Sequence, residues 1–125
     1  MKRILDIGQC DYDHRNISRF LESHWDVDIN RAHGWADAER LLTANRYDLI
    51  LVNRLMNQDH AEGQEIIESL KAHEQYKSMP VMMVSNYADA QERAVQAGAV
   101  PGFGKNALTQ PQTKDLIASA LNEEA

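Results

Sequence analysis

Asp11 and Asp13 follow the first apolar run of the chain, and Asp59 follows the third. Carboxylates at such places could serve as nucleophiles. Each also has a plainer reading, which we prefer: Asp11 or Asp13 caps a helix, and Asp59 is a solvated loop residue. Cys10 stands beside the first apolar run, but no His or Lys adjoins it to activate a thiolate, so it reads as an ordinary small residue. His14, His24, His33, His60 and His73 are scattered without the i,i+4 pairing of a zinc site and read as surface groups. The run from Gly98 to Asn106 fails as a phosphate cradle. G-x-x-x-x-G-K would need glycine at Ala99, and Asn106 stands where Ser or Thr should follow Lys105.

The elements that must position these groups are legible from periodicity. Arg3 to Ile7 predicts a first strand. Ile17, Phe20 and Leu21 share one face of a helix starting near Asp13, and Val27 to Ala32 alternates weakly as a second strand. Trp35, Ala38, Leu41 and Leu42 form a helical stripe. Asp48 to Val52 and Pro80 to Val84 are nearly continuous apolar runs, as expected of strands covered on both faces. Asp48 opens its strand and so lies at the end of the sheet away from the candidate site. Ile66, Ile67 and Leu70 mark another helix, and Ala90, Ala94, Val95 and Ala97 a helix of small residues. Val100 to Gly104 predicts a fifth, edge strand, because Pro101 has no N–H for a ladder. Pro111 opens a last helix with Leu116, Ile117, Ala120 and Leu121 inward. Strand and helix alternate five times, predicting one α/β domain over residues 1–125. In such sheets chemistry gathers at the carboxyl ends of the strands.

Composition narrows the function. The 125 residues are 43% hydrophobic and 26% charged, a globular balance, and no repeat or linker divides them. Lys and Arg number 13 against 19 Asp and Glu, a net charge of −6, which argues against nucleic acid or anionic membrane as the main partner. One cysteine allows no internal disulfide and fits a reducing cytoplasm. The N-terminus carries neither signal peptide nor membrane span. Asp6, set among apolar neighbours in the first strand, either pairs with a cation or marks a bulge.

The order of elements resembles the receiver domain of two-component response regulators. The resemblance rests on Tyr47-Asp48-Leu49-Ile50-Leu51-Val52-Asn53, Pro80-Val81-Met82-Met83-Val84-Ser85, Ala97-Gly98-Ala99 and Lys105, and it spans Lys2 to Leu121. It implies a flavodoxin-like, five-stranded parallel sheet of order 2-1-3-4-5 with helices on both faces. It also implies an acceptor aspartate ending the third strand, an acidic pair holding Mg²⁺ at the end of the first, Ser or Thr ending the fourth, and Lys ending the fifth.

Matched position by position, the centre of that pattern is missing. The acceptor is Asn53, and the acidic pair is Gly8 and Gln9. An amide is no nucleophile towards phosphorus, and without carboxylates Mg²⁺ binding is not expected. Asn57 and Asn106 replace two usual prolines, and the loop after Asn53 is about two residues longer than is usual for the family if Gly63 is its glycine. Ser85 and Lys105 remain, either as an anion site or, as we prefer, as remnants with Lys105 bonded to the Asn53 oxygen. The aromatic switch position is Gly102, and Phe103 should face the core.

The expected function is therefore that of a pseudo-receiver. It would be a non-enzymatic module without aspartyl phosphorylation, working through a protein partner on the face of helix 4, strand 5 and helix 5. Tyr87, Glu92, Arg93, Pro101 and Gln110 are the candidate contacts. With only Asn122-Glu123-Glu124 beyond the last helix before Ala125, no output domain is expected to follow. Two rivals stay open: a true phosphoacceptor using a displaced carboxylate, and a small-ligand-binding flavodoxin-like module.

Overall fold

The computed structural model describes residues 1–124. Its elements in order are β1 (Lys2–Ile7), α1 (Asp11–His24), β2 (Val27–Ala32), α2 (Trp35–Ala44), β3 (Leu49–Asn53), α3 (Gly63–Ala72), β4 (Val81–Val84), α4 (Ala88–Gln96) and α5 (Pro111–Leu121). A short 3-10 turn, Lys105–Ala107, precedes α5. The strands pair in parallel in the order β2-β1-β3-β4. Each crossover is a helix, as parallel pairing requires.

Alternation along the strands divides the core between two faces. Leu5, Ile7, Ile50, Val52, Val81 and Met83 pack with Ala38, Leu42, Ile66, Ile67, Leu70, Ala90 and Ala94 from α2, α3 and α4. Ile4, Leu49, Leu51, Met82 and Val84 pack on the other face with Ile17, Leu21, Ile117 and Leu121 from α1 and α5. Asp6 shares that second face, by parity with Ile4. No helix among the described residues is long and apolar enough to cross a membrane.

The expected fifth strand does not form, and among the described residues the sheet has four strands. Val100 to Gly104 runs beside β4 and touches it through one isolated parallel bridge, Val84 to Phe103. Val100 N–H donates to the Val81 carbonyl (2.9 Å) and Ser85 N–H to the Phe103 carbonyl (3.0 Å). Between them Pro101 has no N–H to give. The Gly102 N–H donates instead to Gln91 Oε1 (3.2 Å), while Gln91 Nε2 donates to the Met83 and Ser85 carbonyls (2.9 and 3.1 Å). A side-chain amide from α4 thus occupies ladder positions. The approach is so close that a Cβ on Gly102 would lie 2.1 Å from the Met83 carbonyl oxygen. Phe103 is buried on the α1–α5 face, as side-chain alternation predicts.

Helix α1 begins at Asp11 and is capped by Cys10, whose Sγ accepts the Asp13 N–H. Neither Asp11 nor Asp13, the caps the sequence suggests, fills that place. The Asp13 carboxylate is engaged elsewhere, by Lys105, and Asp11 pairs with Arg31 (2.8 Å). Both acids lie in the first turn, where they favour the positive end of the helix.

Candidate functional site

Asn53 ends β3 with its side chain turned across the carboxyl ends of β1 and β3. Its Nδ2 donates to the carbonyls of Gly8 (3.2 Å) and Leu55 (2.7 Å). Two carbonyl acceptors demand a donor between them, so the nitrogen of the amide faces them. The Gly8 carbonyl also accepts the Asn57 N–H (3.0 Å), tying the β3–α3 loop to the end of β1.

Gly8 adopts φ +85°, a left-handed conformation that glycine tolerates and side-chain-bearing residues resist. Met56 fills the space beside it, its Cε and Sδ 2.5 Å from where a Cβ would stand. A carboxylate at position 8 would strain the backbone and would require the end of the Met56 side chain to move. Gln9 is 1% exposed, and its amide nitrogen and oxygen find no partner among the described residues. Its main-chain carbonyl accepts from Arg31 Nη2 (2.9 Å).

Ser85 is buried at the end of β4, its Oγ accepting the Tyr87 N–H (3.1 Å). Asn53, Ser85 and Lys105 line one cavity of about 170 Å³, together with Arg54, Asn86 and Tyr87. The Arg54 guanidinium lies 4.8 Å from the centre of the Tyr87 ring, a cation–π geometry. Lys105 Nζ is 2.7 Å from Asp13 Oδ2, so it bonds α1 and not the Asn53 oxygen expected from the sequence. Asp13 also accepts from the Cys10 thiol (3.3 Å). Gln9 stands outside this cavity. Among the described residues no three His, Cys, Asp or Glu side chains gather as a metal site.

Asp6 is fully buried, and its Oδ2 lies 2.7 Å from His14 Nδ1. β1 keeps unbroken register with β2 through this position, so Asp6 marks no bulge and meets the His14 ring as a hydrogen-bonding partner. Burial pushes the Asp6 carboxyl above its usual range, against the opposing pull of His14 and Arg31. The surface reading of His14 is corrected by this contact, since its side chain is largely buried against β1. The signal that could have placed it was Asp6 itself, since a buried acid calls for a partner and α1 returns over β1 one turn after Asp11. Arg54 and Gln91 had no such signal, because their roles come from chain segments distant in sequence.

The candidate partner residues lie on the surface. Tyr87 is 57% exposed, and Glu92, Arg93, Pro101 and Gln110 are exposed as well. Glu92 and Arg93 sit on α4, Pro101 in the bridging segment and Gln110 at the start of α5. The middle of that face is an irregular segment, not a strand.

A four-stranded parallel sheet covered on both faces, with polar groups gathered at its carboxyl edge, defines a flavodoxin-like α/β domain. The family model for the response regulator receiver domain matches residues 13–121, and the chain belongs to that family. The matched span begins after Gly8 and Gln9. No curated protein matches the sequence.

Solved structures share the fold. The signal receiver domain of a DNA-binding response regulator from Colwellia psychrerythraea 34H superposes with a TM-score of 0.82 at 23% identity, over 98% of this chain and all of that one. A response regulator from Chloroflexus aurantiacus J-10-fl gives 0.78 at 15% identity, over 98% of each chain. One from Burkholderia pseudomallei, with a phosphorylated aspartic acid, calcium ion and citrate, gives 0.70 at 20% identity, over 95% of this chain and 72% of that one. The chain is thus a receiver domain of two-component signalling.

Proposed function

We propose that this receiver works without aspartyl phosphorylation, as a non-enzymatic protein-interaction module in the cytoplasm. The observation that carries the reading is the amide of Asn53, whose nitrogen bridges the carbonyls of Gly8 and Leu55. An acceptor must present an anionic oxygen to phosphorus, and this position presents N–H donors to the protein itself.

Mg²⁺ does not fit the residues present. It demands hard oxygen ligands with carboxylate charge, and among the described residues no acid lines the cavity holding Asn53, Ser85 and Lys105. Lys105 is already neutralised by Asp13. A displaced carboxylate is not favoured either: Asp11 is engaged by Arg31, Asp13 by Lys105, and the Asp59 side chain accepts the Ala61 N–H within its own loop.

Output runs through a protein partner, in place of nucleic acid or membrane. The exposed face of α4, the Val100–Gly104 segment and α5 is the contact surface, with Tyr87, Glu92, Arg93, Pro101 and Gln110 as its candidate residues. Tyr87 supports this choice, being a large aromatic left exposed and backed by Arg54.

The test is an amide NMR titration with Mg²⁺, followed by beryllofluoride. Unmoved resonances at Gly8, Asn53, Ser85 and Lys105 are expected. Saturable shifts clustered there would overturn the reading in favour of a working phosphorylation site.

A further inference from the structure

We propose that the groove between α2 and α3 docks a cationic helical segment of a partner protein, one carrying an apolar anchor. The inference goes beyond the reading of Asn53 and does not depend on it.

The groove has a volume of about 350 Å³ and is walled by the first turn of α2, at Trp35 and Ala36, and by α3, at Ile66 and Ser69. Met56 forms part of its lining from the β3–α3 loop. That loop is pinned at both ends. Leu55 and Glu62 bridge as antiparallel neighbours, Met56 N–H donates to the Ala61 carbonyl (2.8 Å), and His60 N–H donates to the Met56 carbonyl (2.9 Å). His60 turns the chain there at φ +59°. The wall is therefore preformed, and Trp35 is half-buried against the core with part of its ring left at the groove.

The rim is acidic on one side. Asp59, Glu62 and Glu65 line the groove, and all are exposed. None of them takes part in an ion pair among the described residues. Glu62 and Glu65 also favour the N-terminus of α3, but that does not account for Asp59 or for the apolar lining. Of the α2 acids, Asp37 is taken up by Arg40 and the His33 N–H, so it adds little free charge. An apolar trough with unpaired carboxylates along one wall matches a helix whose lysines or arginines flank a leucine or aromatic anchor. Long cationic side chains can lay their stems over Ala61 and Ile66 while their heads reach the carboxylates.

The probe is a synthetic Lys/Leu amphipathic helix, with a Glu/Leu helix of the same pattern as control. Binding is followed by amide NMR on the full chain and by Trp35 fluorescence in a Trp25→Phe background, without Mg²⁺ or phosphodonor. Saturable shifts at residues 34–36 and 56–66 are expected for the cationic helix and none for the anionic one. Glu62→Lys with Glu65→Lys should weaken binding about tenfold, since both carboxylates are exposed and their reversal leaves the core intact. Raising salt from about 50 to about 300 mM should weaken binding further, as exposed charges are screened. Circular dichroism of the double variant checks that it folds, and Trp35→Ser tests the anchor pocket separately.

Shifts mapping to α4 and α5, or equal affinity after charge reversal, would overturn the proposal. So would self-association abolished by Trp35→Ser, because a second copy of this chain would then be the occupant. Shifts at Asn53 on adding beryllofluoride bear only on the phosphorylation reading, so the two fail separately.

Discussion

The ammonium of Lys105 lies 2.7 Å from the carboxylate of Asp13, so the lysine that closes the β4 side of the site is bonded to helix α1. Both side chains are partly buried, 30% and 22% exposed, which sets the pair between a surface bridge and a desolvated one. The contact joins the first turn of α1 to the turn before α5, and these segments have no other short connection in sequence.

A double-mutant cycle with Asp13→Ala and Lys105→Ala should give a coupling of about 1 kcal/mol in urea unfolding, at the upper end for solvent-accessible pairs. A coupling near zero would mean the pair does not tie the two segments together.

Asn53→Asp should destabilise the domain by about 1–3 kcal/mol, because it replaces an N–H donor by an anion facing the Gly8 and Leu55 carbonyls. Thermal melts with and without millimolar Mg²⁺ check this. The loss should persist with the metal, since Gly8 and Gln9 supply no charge to hold it.

Gln91→Ala should cost about 1–3 kcal/mol, because the Gly102 N–H and the Met83 carbonyl lose a buried partner. Hydrogen exchange at the Gly102 amide should quicken more than exchange in β1. Equal quickening throughout would point to global destabilisation and away from a local clamp.

Asp6 carries a pH dependence whose sign follows from its burial. Its folded-state pKa lies above the unfolded value of 3.8, so the native state holds the proton more tightly. The stability this provides is fully present below the unfolded pKa and is lost as pH rises through the folded one. Melting temperatures of the wild type and Asp6→Asn, measured from acid upward, should therefore separate, with the wild type losing ground as pH rises above about 4. A constant difference across that range would show that Asp6 does not titrate between the two states.

Much of the fold was legible in the chain. Continuous apolar runs at Leu49–Val52 and Val81–Val84 can be stable only with both faces covered, and alternating amphipathic segments supply the cover. Phe103 could be turned inward by counting side chains along an extended segment. The absence of carboxylates at 8, 9 and 53 is a matter of residue identity, readable without coordinates.

What tertiary structure decided was every bond between segments distant in the chain. Pro101 announced a weak edge, but only the arrival of Gln91 from α4 left Val100–Gly104 with a single bridge where a ladder was expected. Lys105 had two carboxamide or carboxylate neighbours to choose from, and the docking of α1 chose Asp13. Local pattern depends on the period of a helix or strand, which a short window contains. A side chain's partner depends on where a remote element comes to rest, and that is settled only when the two cores pack on the sheet.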